Sequence, residues 1–200
     1  AQMVGQLTSP NRAAFAGSGG VITGTNLLIS ADTNGTTAGW GGSIQGTGLF
    51  YNKAGSTSAN YYNDNTYTGP TLITGGTLTL IDEGRLSGTS SIAVNGATFA
   101  INDIGTVQMG DRVNNAASIT LRGANLNYIG RDSANSTETL GDVSFAEGGN
   151  NSTFTIGTSG VIRSIVLSLG NVSQSNGSVY LISSGSVTGQ MGSTIRMTMA

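Results

Sequence analysis

Carboxylates are the acid–base groups with which this 200-residue chain could do chemistry, because it has neither His nor Cys. That excludes Ser-His-Asp and Cys-His nucleophiles, disulfide frameworks and Cys/His zinc sites. Ten carboxylates are scattered along the chain against eight Arg and Lys. Two of them, Asp82 and Asp103, each fall four residues after an apolar strand residue, Leu78 and Phe99. If the two segments stack, the carboxylates stand in register on neighbouring turns of chain. Asp111-Arg112 and Arg131-Asp132 supply Arg beside Asp, and paired carboxylates with an Arg are suited to general acid–base cleavage of polysaccharides. The plainer expectation is that an Asp after a strand is a turn residue bonding its own backbone. No catalytic residue is assigned on this basis.

Asp32-Thr33-Asn34-Gly35 resembles the start of a calcium loop but lacks the later acidic positions and has Ser43 at the twelfth place, so no metal site is expected. Gly17–Gly20 precedes a strand pattern instead of following one, so no phosphate loop and no cofactor is expected either. Trp40, Tyr61 and Tyr62 form a candidate contact surface for sugar or a partner protein, with core or cap packing as the alternative.

What must position these groups is an unusual chain. Gly 32, Thr 26, Ser 24 and Asn 18 make up half of it, and only 9% of residues are charged, where about 25% is usual. Leu, Ile, Val and Phe are 45 of 200, above the composition expected of disorder, and they cluster in short β-branched runs. No window concentrates helix formers, so the chain reads as all-β. The net charge of −2 includes no basic stripe, which disfavours a nucleic-acid partner. Val161–Leu169, the longest apolar stretch, is far too short for a membrane span and contains Arg163. No signal peptide is visible at Ala1-Gln2-Met3.

Period-two alternation recurs around glycine-containing pairs. Thr71–Thr74 and Thr77–Leu80 flank Gly75-Gly76; Ser91–Val94 and Ala97–Ile101 flank Asn95-Gly96; Ser118–Leu121 and Ala124–Tyr128 flank Arg122-Gly123. A looser copy runs from Asp142 to Ile156. The starts fall 20, 27 and 24 residues apart, at 71, 91, 118 and 142, a period typical of solenoids. Antiparallel hairpins are the competing reading. Against them, Arg suits a two-residue hairpin turn poorly, the outward positions carry Thr, Ser and Asn, and protective charge is sparse. The expected fold is a parallel β-helix with 20–27 residues per coil and about nine coils in all. Leu72, Leu78, Leu80, Ile92, Val94, Phe99, Ile101, Ile119, Leu121, Leu126, Tyr128, Val143, Phe145, Phe154 and Ile156 are its expected inward residues.

GGSIQGTGLFYNKAG (41–55), NTYTGPTLITGGTLTL (65–80) and LSGTSSIAVNGATFAI (86–101) together resemble the autotransporter-associated β-strand repeat of passenger domains. The match is close over 41–101 and looser to Ile156. The resemblance implies a single right-handed parallel β-helix over 1–200, with recognisable repeats at 41–156 and divergent coils or caps at 1–40 and 157–200. It also implies display outside a bacterial cell. No segment reads as the C-terminal membrane barrel of a complete autotransporter, so self-transport is not implied. The expected function is structural or adhesive, at a cell surface or in a matrix, with self-association into filaments. Its expected partners are other copies, surface polysaccharide or other surface proteins, without a cofactor. A carbohydrate-active enzyme using Asp and Arg is the alternative.

Overall fold

The computed structural model describes residues 1–9, 15–31, 35–132, 134–148, 151–158, 164–175, 180–184 and 194–199. Among them lie twenty strands, β1 to β20 in chain order, and no helix. Every strand pair is parallel. The chain therefore winds as a parallel β-solenoid, and the hairpin reading is excluded.

Three faces make each coil. The first is an 8-stranded sheet: β1 (Gln2–Val4), β3 (Leu28–Ala31), β6 (Tyr51–Ala54), β8 (Thr71–Ile73), β10 (Ser91–Asn95), β12 (Ser118–Arg122), β15 (Val143–Phe145) and β18 (Val172–Gln174). The second has seven strands: β4 (Ala38–Trp40), β7 (Ala59–Tyr61), β9 (Thr77–Ile81), β11 (Thr98–Asn102), β13 (Asn125–Gly130), β16 (Ser152–Thr158) and β19 (Tyr180–Ser184). The third is discontinuous. It pairs β2 (Val21–Thr23) with β5 (Ser43–Gln45), and later β14 (Asn135–Leu140) with β17 (Ser164–Leu169) and β20 (Thr194–Met199). In between it has only the isolated bridges Asp64–Arg85 and Leu86–Val113. Coil length varies from 19 residues, where Ala59 lies opposite Leu78, to 30, where Ser164 lies opposite Thr194, and on the first face from 20 (Tyr51 opposite Thr71) to 29 (Val143 opposite Val172). The long face thus stacks eight rungs among the described residues, not nine.

Alternation fills the interior. Leu28, Tyr51, Thr71, Ile92, Ile119 and Val143 stack as one inward column of the first face, and Ser30, Lys53, Ile73, Val94, Leu121 and Phe145 as the next. Of the expected inward residues all are buried except Leu72, which is half-buried on the outside. Thr71 and Ile73 take the inward phase in its place. The reason is polar: the Thr71 hydroxyl bonds Tyr67 Oη at 2.5 Å and Thr89 Oγ1 at 2.8 Å inside the core. Burying a hydroxyl is acceptable once its partners are also inside.

The glycine pairs form the corner between the first two faces. Gly55, Gly76, Gly96 and Gly123 all have positive φ, 83°, 59°, 59° and 54°, which costs an L side chain about 1–2 kcal/mol. Gly76 carries a second constraint, since a Cβ there would lie 2.4 Å from the Thr57 carbonyl oxygen of the coil below, whereas Gly96 has open space. Gly96→Ala is therefore expected to cost about 1 kcal/mol, part of the strain being offset in the unfolded chain. Gly76→Ala should cost well over that, read as the shift in urea midpoint. Equal shifts would mean that these corners do not pack on one another.

Candidate functional site

The register sets Asp103 directly above Asp82, because Asn102 pairs with Ile81. The two carboxylates nevertheless part. Asp103 continues the strand direction, its amide donating to Ile129 O at 2.8 Å, and its side chain enters the core. Asp82 adopts φ 54°, a conformation that Asp tolerates better than most residues. It opens a tight turn closed by Gly84 N donating to Ile81 O at 2.8 Å. Its Oδ1 accepts from Thr106 Oγ1 at 2.8 Å and Val107 N at 2.9 Å.

Arg112, which the sequence sets beside Asp111, pairs instead with Asp103, and that pair is sealed. Its Nε donates to Asp103 Oδ1 at 2.9 Å with both side chains at or below 1% exposure. The rest of the guanidinium reaches back one coil, donating to Asp82 O at 2.6 Å and Gly84 O at 3.0 Å and thereby satisfying the carbonyls of the tight turn. Tyr128 Oη donates to the second oxygen of Asp103 at 3.2 Å. Burial, reinforced by the Asp103 charge, pushes the Tyr128 phenol far above its ordinary value.

Glu138 joins from the coil above and was not singled out in the sequence. Its carboxylate accepts from Arg112 N at 3.0 Å and Val113 N at 3.2 Å, replacing a strand partner where the third face lacks one. Burial pushes its pKa up to about 7, against the lowering effect of those two backbone bonds. The signal was present: in Asn135–Leu140 the inward phase of Leu140 runs back through Glu138 to Ser136.

Asp103, Glu138 and Arg112 thus match the composition of an acid–base site but not its accessibility. Each polar atom of Arg112 and Asp103 described here is spent on the fold, and no substrate can reach them. Asp111 lies outside this cluster on an exposed turn with φ 51°, and Arg131 caps Gly105 O at 2.6 Å. Asp132 lies beside Arg131 on the chain and is exposed.

The aromatic contact surface needs correction. Trp40 and Tyr61 are buried at 5% and 0% exposure, because both occupy the inward phase of the second face. The Trp40 ring lies over Gly19 and Gly42, where any Cβ would collide with it. Tyr61 Oη bonds Tyr51 Oη, which also bonds Ser30 Oγ at 2.7 Å. Tyr67 is fully buried too, its ring 6.0 Å from that of Tyr51, and burial raises its pKa far above the usual phenol value. Of the three candidates only Tyr62 retains a partly open side chain, on a corner.

Lys53 lies inside the glycine corner between the first and second faces. Its Nζ donates to the carbonyls of Ala54 at 3.4 Å, Gly55 at 3.1 Å and Gly75 at 2.9 Å, and to that of Thr57. The Asp32–Asn34 stretch lies outside the described residues, and no group of three or more metal-binding side chains occurs among those described. Among the described residues no helix is long and apolar enough to cross a membrane.

Two stability predictions follow from the buried cluster. Arg112→Met leaves Asp103 buried without its cation and is expected to cost about 3–5 kcal/mol in urea unfolding. Glu138 has a folded pKa above its unfolded value of 4.5. Its contribution is therefore complete below that value and is lost as pH rises through about 7. Between pH 5 and 8 the wild type should lose on the order of 3 kcal/mol from this group, and Glu138→Gln should flatten the profile. Parallel profiles for the two proteins would refute the assignment. The chain matches no protein-family model, no curated protein and no solved structure.

Proposed function

We propose that this chain is an extracellular structural or adhesive rod of a bacterial cell surface or matrix, acting by contact along its faces and associating with itself. The observation that carries the reading is the division of polar groups between inside and outside. Lys53, Asp103, Arg112 and Glu138 are buried as parts of the fold, while the faces carry neutral ladders. Thr98, Asn125 and Thr153 stand in one outward column and bond one another, Asn125 Nδ2 donating to Thr98 Oγ1 at 3.3 Å and Thr153 Oγ1 to Asn125 Oδ1. Thr120 and Ser144 bond at 3.1 Å on the first face, and Thr198 and Ser168 at 3.2 Å on the third.

A ladder repeats one donor–acceptor pattern about every 4.8 Å. A partner with a matching repeat, whether polysaccharide, another surface protein or another copy, gains many weak contacts at once, and their sum becomes avidity. The resemblance of residues 41–101 to the passenger-domain repeat supports the same placement outside the cell. The alternative, a carbohydrate-active enzyme, is weakened by the burial of its best carboxylate–Arg pair.

Purified protein imaged by negative-stain electron microscopy, alone and with bacterial cells, is expected to show rods that join or coat the cells. Turnover of an acidic polysaccharide, abolished in Asp103→Ala, would reverse the ranking of the two readings.

A further inference from the structure

The corner between the second and third faces carries a cleft of about 290 Å³ that the fold does not use. Phe15 comes to it from the first coil, Tyr62 from the third, Asp82 and Glu83 from the fourth, and Thr106 and Val107 from the fifth. The second coil passes this corner as Gly41-Gly42, and a Cβ on Gly41 would stand 2.1 Å from Phe15 O. The chain at Phe15 packs closely on the second coil for that reason. Phe15 is 66% exposed and Ile104, next to the Gly105 that packs on Asp82, is 44% exposed. Phe15, one of the five exposed large apolar side chains of the described residues, lines the cleft, and Ile104, another, lies two residues before Thr106 of its lining, an apolar exposure that suits a contact surface.

The chemistry of the cleft is selective. Aromatic rings stand beside an acidic rim, and Asp82 is held in place by its turn and by its bonds to Thr106 and Val107. Glu83 is exposed beside it. Rings with adjacent carboxylates suit a guanidinium, which stacks on the ring and pairs with the acid.

Among the described Lys and Arg side chains, one is available for that role. Lys53 and Arg112 are buried, Arg85 is half-buried, and Arg131 is bonded to Gly105 O. Arg122 is exposed at the opposite corner of the same second face, its stem lying over Gly148. We infer that the Phe15–Tyr62–Asp82–Glu83 cleft receives Arg122 of a second copy. This rests on the self-association proposed above and supplies its contact. A two-fold that sets two second faces together would let each Arg122 enter the other copy's cleft and close the pair; any other arrangement makes the contact heterologous, and it propagates unless a rotation closes it.

Sedimentation velocity over a concentration series tests this with Glu83→Arg, Arg122→Glu and the double swap, whose melting midpoints should match the wild type because both sites are exposed. Each single variant is expected to weaken association at least about tenfold. The double swap should restore it, and about 1 M salt should weaken the wild-type contact. Wild-type association that neither single variant changes would overturn the Arg122 contact while leaving self-association intact. A wild type that stays monomeric at its highest soluble concentration would overturn both. Loss in the singles without recovery in the swap would also refute the pairing.

Discussion

The molecule depends on the parallel ladder between successive coils, and above all on what happens where that ladder is broken. On the first two faces backbone amides and carbonyls satisfy one another, rung on rung. On the third face, from coil three to coil five, two isolated bridges replace the sheet. Buried backbone polar groups left unpaired there would cost as much as lost hydrogen bonds. Polar side chains repair the gap from within. Asn65, fully buried, accepts from Ile44 N at 3.0 Å and donates to Asn63 O at 2.9 Å and Arg85 O at 3.1 Å, tying three coils together. Glu138 does the same for the amides of Arg112 and Val113, and the Arg112 guanidinium for the carbonyls of Asp82 and Gly84.

That repair explains why so sparsely charged a chain buries charge at all. A carboxylate accepts two backbone amides that have no carbonyl within reach, and a guanidinium can serve several carbonyls from one buried position. Lys53 answers the same need at the glycine corner, where tight turns crowd several carbonyls inward. The cost is desolvation. It is offset where a partner is present, as for Asp103 and Arg112, and it shows as a raised pKa where none of opposite charge faces the group, as for Glu138.

The sheets were legible in the sequence because alternation and glycine-paired corners recur there, at intervals of 20, 27 and 24 residues. Ile92, Val94, Phe99 and Ile101 could be placed inward from that pattern alone. Leu72 could not, because the choice between Leu72 and Thr71-with-Ile73 turns on hydroxyl partners, Tyr67 and Thr89, that lie outside the strand. The aromatic residues failed for a related reason. Tyr61 and Trp40 look like surface groups in an Asn- and Gly-rich context, yet their strand phase is inward and their hydroxyl or ring finds company on adjacent coils. Register placed Asp103 over Asp82, but the Arg112 partner of Asp103 was not readable, because adjacency on the chain pointed to Asp111. Glu138, more than a full coil farther along, was readable only by trusting the alternation of its strand over its charge.

The same accounting constrains what the exterior can do. With four of its ionisable side chains committed to the interior, the rod meets its surroundings mostly through Thr, Ser and Asn, whose hydroxyls and amides already bond along each column. Such a column offers its remaining donors and acceptors at the spacing of the backbone, so affinity for any one group is low and selectivity comes from matching the repeat. Strong single contacts then require a break in the pattern. The corners provide it, because coil length is free to vary there while the faces must stay in step. An insertion at a corner, such as the longer coil that carries Ile104 to Val107, adds surface without disturbing the ladder, and glycine, as at Gly41-Gly42, lets the neighbouring coil pass close over it. A solenoid of this kind is therefore uniform on its faces and individual at its corners.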